Sequence, residues 1–334
     1  MTLVGSDGPL ATAFDVALVD LDGVAYKGPH AIPTAPSALE AARASGMRLV
    51  FVTNNASREP SEVAGHLTDL GIPATSDEVL TAAQAGAALL AQTVPSGSKV
   101  LVVGGKGLQT AVASHGYQVV ASADDDPYAV IQGYSADLAW KDLAEAAYAI
   151  NAGAKYFATN LDLTLPTERG MAPGNGSLVA AVATATGVTP PAAGKPEPGM
   201  FLLAAERAGA HRPLVIGDRL DTDLKGARAA GIPGLLVLTG VSTIREALTA
   251  PPEQRPSFIA ADLKGLAHAH PAPRQDGSWW HVGEARAHVV EGQLLVDGGD
   301  PIDRARAACS AAWAAADAGE KLSVETLPHL GVAS

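Results

Sequence analysis

The sequence predicts an α/β fold built on a parallel sheet, and three observations carry that prediction. Short continuous apolar runs alternate with helix-patterned stretches from residue 13 to residue 260. Acidic, hydroxyl and amide side chains fall where those runs stop, at Asp20-Leu21-Asp22-Gly23, Thr53-Asn54-Asn55 and Gly217-Asp218. In an open α/β sheet these stops are the carboxyl ends of strands, where ligands bind. The alternation also restarts in mid-chain without such residues, which reads as one domain inserted into another.

Taken in order, residues 15–20 read as a buried strand, and residues 34–45 as a helix stopped by Gly46 in the C′ position. Residues 47–52 read as a second buried strand, followed by a loop and a helix over 60–70. In the middle block, strands are expected over 99–103, 117–120, 129–132 and 155–158, with helices over 108–114 and 141–152. The first pattern resumes near Lys195. A helix over 198–208 leads to a strand over 213–216, a helix over 221–230, a strand over 234–238 and an edge strand over 257–259. Proline-rich stretches at 190–198 and 251–256 serve as boundary and loop material. Past His270-Pro271-Ala272-Pro273 the character changes, to a hairpin of 279–290 with 293–297 turning at Glu291-Gly292 and an Ala-rich helix over 302–316. The expected domains are therefore a core of 13–78 and 191–262, an inserted α/β domain of 79–190, and a C-terminal extension of 263–334 too small to stand alone.

Composition narrows the function. The 334 residues suffice for two domains of about 150 each, and 47% apolar content can fill their cores. Basic residues number 23 against 35 acidic, a net charge of −12 with no basic stripe, which argues against a nucleic-acid partner. The single cysteine, Cys309, permits no internal disulfide and suits a reducing cytoplasm. No Lys or Arg precedes Lys27, so no signal peptide is expected, and no apolar stretch is long enough for a membrane span.

Asp20 and Asp22 stand two apart at a strand end, so in extended geometry they share a face. Gly23 lets the chain turn after them. One carboxylate can attack phosphorus, and the other can protonate a leaving alkoxide and then activate water. Asp218, Asp221 and Asp223 place three more carboxylates within six residues, more than a helix N-cap needs. Hard oxygen donors of this kind suit Mg²⁺, and no His/Cys set has zinc spacing. Thr53-Asn54 offers a hydroxyl and a free backbone N–H for phosphate oxygens. Lys195, within Ala193-Gly194-Lys195-Pro196, offers a point charge for the same purpose. Gly104-Gly105-Lys106-Gly107 lacks a complete nucleotide-binding pattern and reads as a tight strand-to-helix turn. The His residues of the tail, His268, His270, His281 and His288, have the wrong spacing and partners for a metal site.

These segments, in this order, resemble the haloacid dehalogenase (HAD) superfamily of phosphatases. The NagD-like branch is suggested by Asp22-Gly23-Val24, Thr53-Asn54-Asn55, Gly194-Lys195-Pro196 and the string from Gly217 to Asp223. The resemblance covers about residues 13–260. It implies a doubly wound parallel-sheet core with a large α/β cap between the second and third motifs. It implies Asp20 as nucleophile and metal ligand, and Asp22 as general acid/base that also gives a backbone carbonyl to Mg²⁺. Asp218 becomes the remaining protein ligand, Asp223 a supporting residue behind it, and Thr53, Asn54 and Lys195 phosphate-holding residues. Arg219 and Asp221 belong to the branch's string without an assignable step. Cap loops of this branch face the site, so Asn160 and Asp162, with the loop at 174–176, are the specificity candidates.

The expected activity is Mg²⁺-dependent hydrolysis of a small phosphomonoester. Glu168 and Arg169 are the only charges noted beside the specificity candidates, and aromatic residues are few, which favours a small polyol or acid phosphate, glycerol 3-phosphate first. Phosphoglycolate and pyridoxal phosphate are the alternatives, and a homodimer is left open. A phospho-receiver module also uses Asp, Thr and Lys, but its acceptor Asp follows the third strand rather than the first. A non-catalytic phosphosugar sensor is disfavoured by the intact Asp20 and Asp22.

Overall fold

The first apolar run folds as β1 (Val16–Val19), buried along its whole length. A two-residue antiparallel pair, Tyr26–Lys27 with His30–Ala31, follows it. Then comes α1 (Ala35–Ala44), which buries Ala35, Ala38, Leu39 and Ala42, and Gly46 lies beyond its end at φ +93° as expected. The next strand is β2 (Arg48–Thr53). In this computed structural model residues 3–167, 169–323 and 327–332 are described. The chain divides into two units, one of Met1–Val50, Leu70–Ile72 and Ala205–Ser334, the other of Phe51–Asp69 and Pro73–Ala204.

The second unit opens with the end of β2 and continues through α2 (Pro60–Asp69) to β3 (Val79–Thr81), which pairs parallel with β2. Helix α3 (Ala82–Ala91) leads to a separate sheet. Its strands are β4 (Lys99–Val103), β5 (Gln118–Val120), β6 (Ala129–Gln132) and β7 (Lys155–Ala158), ordered β5-β4-β6-β7 and all parallel. Helices α4 (Lys106–Ser114) and α5 (Trp140–Asn151) make two of the crossovers. After β7 come the hairpin β8 (Thr164–Thr167) with β9 (Gly170–Pro173) and the helix α6 (Asn175–Thr186). Leu101, Val103, Val130, Ala146, Ile150, Tyr156, Val179 and Val182 form one core between this sheet and the helices α5 and α6. The sequence reading placed a helix start at 174–176, where α6 begins, but foresaw neither the extent of α6 nor α3 nor the hairpin. Both helices are Ala-rich with little apolar periodicity, and the hairpin carries Thr, Pro and Gly instead of a β-branched alternation.

The chain re-enters the first unit through α7 (Gly199–Arg207). There follow β10 (Pro213–Gly217), α8 (Lys225–Ala229), β11 (Gly234–Val237), α9 (Ile244–Leu248) and β12 (Phe258–Ala260). The strands β12, β11, β10 and β1 pair parallel in that order, and β2 flanks β1 on its other side. This is the predicted parallel-sheet core.

The tail adds an antiparallel sheet of β13 (Arg274–Asp276), β14 (Trp279–Val282), β15 (Ala285–Val290) and β16 (Gln293–Asp297), with helix α10 (Pro301–Asp317). The β15–β16 hairpin turns at Glu291-Gly292 as expected, with both residues at positive φ. The single strand expected over 279–290 is instead two, broken at Gly283, whose φ of +55° turns the chain. Helix α10 does not stand apart. Its Ala305, Ala308, Ala312 and Trp313 share one buried cluster with Ala287 and Leu294 of the tail sheet and with Leu236, Leu248 and Ile259 of the core.

Arg306 joins the tail to the core by polar contacts as well. Its Nε donates to Ile259 O (2.9 Å), Nη1 to Asp303 Oδ1 (2.9 Å) and Nη2 to His270 Nδ1 (3.0 Å). His270, buried, donates from Nε2 to Gly265 O at 3.0 Å. Both ring nitrogens are therefore committed in the neutral form, and a second ring proton would point at the guanidinium. Burial first, then Arg306, lowers the imidazole from 6.5 to about 4. Between those values the unfolded chain binds a proton that the fold refuses, so stability falls as pH drops. A loss of about 2 kcal/mol is expected from pH 7 to pH 5. His270→Gln keeps a donor and an acceptor without titrating, so the gap in urea midpoints between wild type and variant should narrow over that interval. A constant gap would show that His270 does not carry the effect.

Candidate active site

Strand β1 ends at Val19, and the chain then leaves the sheet. Leu21 O accepts from the amides of Ala25 (2.8 Å) and Tyr26 (3.1 Å), and Gly23, at φ +87°, donates to Tyr26 O (2.7 Å). The turn leaves Asp20 half-buried, with its amide bonded to Ile216 O of β10 (2.9 Å). At the end of β10, Asp218 is fully buried. Its Oδ2 accepts from Val241 N (2.6 Å), and its carbonyl accepts from Ser242 N (3.0 Å). A β-carbon at Gly240 would overlap that same Oδ2, so the loop after β11 approaches only because residue 240 is glycine. Thr239 Oγ1 in turn donates to Gly23 O (2.6 Å), so one loop steadies both acidic segments.

Residues 220–224 form a widened turn, in which Leu224 N bonds to Arg219 O at 3.1 Å, where a regular helix start was expected. Such single π-type turns gather at functional sites. This one turns Asp223 inward, almost fully buried, with Oδ2 accepting from Arg219 N (3.1 Å). Carboxylate oxygens of Asp20, Asp218 and Asp223 lie within 4.8 Å of one another, the one group of this kind among the described residues. Three like charges so placed, two of them buried, are costly unless a cation offsets them. All-oxygen donors in a glycine-lined cradle fit Mg²⁺.

Asp22 lies outside that carboxylate group, with its side chain reaching solvent. Desolvation by its surroundings raises its carboxyl above the ordinary range, and Lys27 pulls the other way. Arg219 and Asp221 bond to each other through two contacts, 3.1 and 2.8 Å, and Arg219 holds the Asp221 carboxyl below its usual range. They brace the turn that presents Asp223.

A second group forms in the other unit. Thr53 Oγ1 accepts from Asn55 N (3.1 Å), which leaves its hydroxyl proton for another acceptor. Asn55 Oδ1 accepts from Ser57 N (2.8 Å), closing the loop. Gly107 N donates to Ser57 O (3.1 Å), and a β-carbon at Gly107 would sit 2.5 Å from Arg58 O. The Gly-rich stretch is therefore the tight turn expected, packed on the Asn55–Arg58 loop. Lys195 is buried, its Nζ 3.4 Å from Val52 O, and its peptide bond to Pro196 is cis. Asn160 Nδ2 donates to Asn54 O (2.8 Å), and Asp162 Oδ2 accepts from Asn54 Nδ2 (3.0 Å). Asn175 Nδ2 donates to Asn160 O (2.7 Å). Glu168 lies outside the described residues. The sequence reading missed Thr239, Gly240 and Val241, a loop whose contacts with Asp218 run through backbone amides.

Residues 17–118 match a family model described as haloacid dehalogenase-like hydrolase, and residues 192–266 match a HAD-hydrolase-like model. The chain is 49% identical, over 77% of its length and 72% of the relative's, to the D-glycerol 3-phosphate phosphatase of Mycobacterium tuberculosis (strain ATCC 25618 / H37Rv). The chain belongs to the haloacid dehalogenase-like hydrolases. Among solved members, the glycerol phosphate phosphatase of M. tuberculosis in complex with magnesium superposes with a TM-score of 0.84, at 44% identity over 92% of each chain. The 4-nitrophenylphosphatase of Thermotoga maritima superposes at 0.71 with 28% identity, over 77% of this chain and 98% of that one.

Proposed function

We propose that this HAD-like phosphatase hydrolyses a small phosphomonoester, D-glycerol 3-phosphate first, through an aspartyl-phosphate on Asp20. The observation that carries the substrate is the 49% identity to a D-glycerol 3-phosphate phosphatase. In this reading residues 13–78 and 191–262 are the catalytic core, 79–190 a substrate-reading cap, and 263–334 an extension. Asp20, the Asp22 carbonyl and Asp218 hold Mg²⁺, with Asp223 behind them, a set supported by the 4.8 Å grouping of three of these carboxylates. Bound there, Mg²⁺ would neutralise charge on the phosphoryl oxygens.

Asp20 attacks phosphorus, and the P–O bond to the alcohol breaks. Asp22 gives the leaving alkoxide its proton, a role suited to a carboxyl raised above its ordinary range. Asp22 then takes a proton from water, which attacks the aspartyl-phosphate and releases inorganic phosphate. The Thr53 hydroxyl, the Asn54 backbone N–H and the Lys195 ammonium hold the phosphoryl oxygens, and such positioning and electrostatics supply the larger part of phosphoryl-transfer catalysis. The cytoplasm is the proposed location. Among the described residues no helix is long and apolar enough to cross a membrane, and Cys309 is buried and unpaired.

Phosphate release from glycerol 3-phosphate tests this directly. Chelator should silence the enzyme and added Mg²⁺ restore it, and Asp218→Ala should remove activity or shift the Mg²⁺ requirement at least about tenfold upward, as loss of a ligand does. Hydrolysis persisting in chelator would refute the metal assignment, and a preference for phosphoglycolate or pyridoxal phosphate would replace the substrate.

A further inference from the structure

We propose that Asn54 is a positioning residue whose carboxamide grips both backbone polar groups of Lys195 and ties that lysine to the inserted sheet. Asn54 Oδ1 accepts from Lys195 N (2.9 Å), and Asn54 Nδ2 donates to Lys195 O (3.1 Å). The remaining Nδ2 hydrogen goes to Asp162 Oδ2 (3.0 Å). A carboxamide has one acceptor oxygen and two N–H donors, and all are engaged here. The orientation is fixed by chemistry, since Lys195 N can only donate and Lys195 O and the Asp162 carboxylate can only accept.

The neighbours are built for this approach. A β-carbon at Gly194 would sit 2.6 Å from Asn54 Oδ1 and 2.8 Å from Thr159 O, so a side chain there would push the clamp open. Gly194 N donates to Thr159 O (2.7 Å), one residue past β7. Asn160 Nδ2 holds the Asn54 carbonyl, and Asn175, at the start of α6, holds the Asn160 carbonyl. Lys195 thus hangs from a ladder of amides running to the ends of β7 and α6. A lysine stem has four rotatable bonds, so anchoring its backbone at both polar groups limits where the ammonium can go. Geometry held in advance raises the effective strength of a phosphate contact.

Asn160 and Asp162 acquire a different meaning from the one their loop position suggested. Asn160 Nδ2 and Asp162 Oδ2 both bond to Asn54, and through it they bear on the part of the substrate common to every ester, the phosphoryl group. Aspartate at position 54 would set a carboxylate against Lys195 O and the Asp162 carboxylate, and leucine would remove all three hydrogen bonds.

The inference rests on the reading of Lys195 as a phosphoryl-holding residue, and the experiment separates the two. In the full-length chain with Mg²⁺, Asn54→Asp should raise KM for glycerol 3-phosphate, KM for 4-nitrophenyl phosphate and the inhibition constant of inorganic phosphate together, each by at least about tenfold. The double variant Asn54→Asp with Asp162→Asn restores one donor–acceptor pair and should recover part of that loss. Asp162→Asn alone should cost less than Asn54→Asp, because Asn54 Nδ2 still meets an oxygen at 162. A rise confined to glycerol 3-phosphate would overturn the proposal in favour of alcohol recognition. A lowered melting temperature with unchanged KM and phosphate inhibition, or no recovery in the double variant, would overturn it as well. Lys195→Ala is the control. If that variant keeps wild-type phosphate inhibition, the reading of Lys195 fails.

Discussion

Asp20→Asn is expected to abolish turnover, by roughly 10⁴–10⁶-fold, the scale seen when a covalent nucleophile is removed. The amide is the same size and cannot attack phosphorus. It also removes one of three carboxylates that lie within 4.8 Å of each other. Without a cation those charges repel, so in chelator the variant should melt no lower than the wild type, and higher if the repulsion is large. Adding Mg²⁺ should then stabilise the wild type more than the variant, since a ligand raises stability only through binding to the fold. Phosphate release and thermal melts with and without Mg²⁺ read both effects. Wild-type turnover by Asp20→Asn would refute the covalent mechanism. A melt in chelator below the wild type would show that Asp20 is held by attractive contacts stronger than the repulsion.

The core strands were legible because a strand buried on both faces must be apolar throughout, and β1, β10 and β11 are. Gly46 marked the end of α1 because few other residues tolerate φ +93°. Asp20 and Asp218 were legible because a carboxylate directly after such a strand has few structural reasons to be there. The loop of Thr239 to Val241 was not, since its role is to bring a backbone amide to Asp218, and backbone amides leave no mark on a sequence. Asn54 was legible as a candidate but its contacts were not, because its partners at 160, 162 and 195 are more than a hundred residues away along the chain. The widened turn at 220–224 looked like a helix start because its composition is one, and only the hydrogen bond from Leu224 to Arg219 distinguishes it. The tail's packing was equally hidden, since it carries no motif, yet its helix shares the buried cluster of the core that carries the acidic turn.

Removing residues 268–334 is therefore expected to unfold the core or loosen its metal site, although no proposed catalytic residue lies there. Trp313 is 1% exposed, donates from Nε1 to Ala247 O at 2.8 Å and lies 5.5 Å from the Arg255 guanidinium. It belongs to the same buried cluster as Leu220 and Leu224, which flank Asp223 within one turn. Truncation would open Leu236, Leu248 and Ile259 to water at once and leave Arg255 without Asp317. Each large buried side chain exposed costs about 1.5–3 kcal/mol, so the sum rivals a typical domain stability of about 5–15 kcal/mol. Trp313→Ala is the graded form of the same test. It should cost about 3–5 kcal/mol, a fall in melting temperature of roughly 10 °C, while the folded fraction still turns over. Its Mg²⁺ requirement should rise, because the turn holding Asp223 shares the buried cluster that the cavity would loosen. A truncated chain with wild-type melting and turnover would show that the core closes without its tail. A destabilised Trp313→Ala with an unchanged Mg²⁺ requirement would confine the tail's contribution to stability.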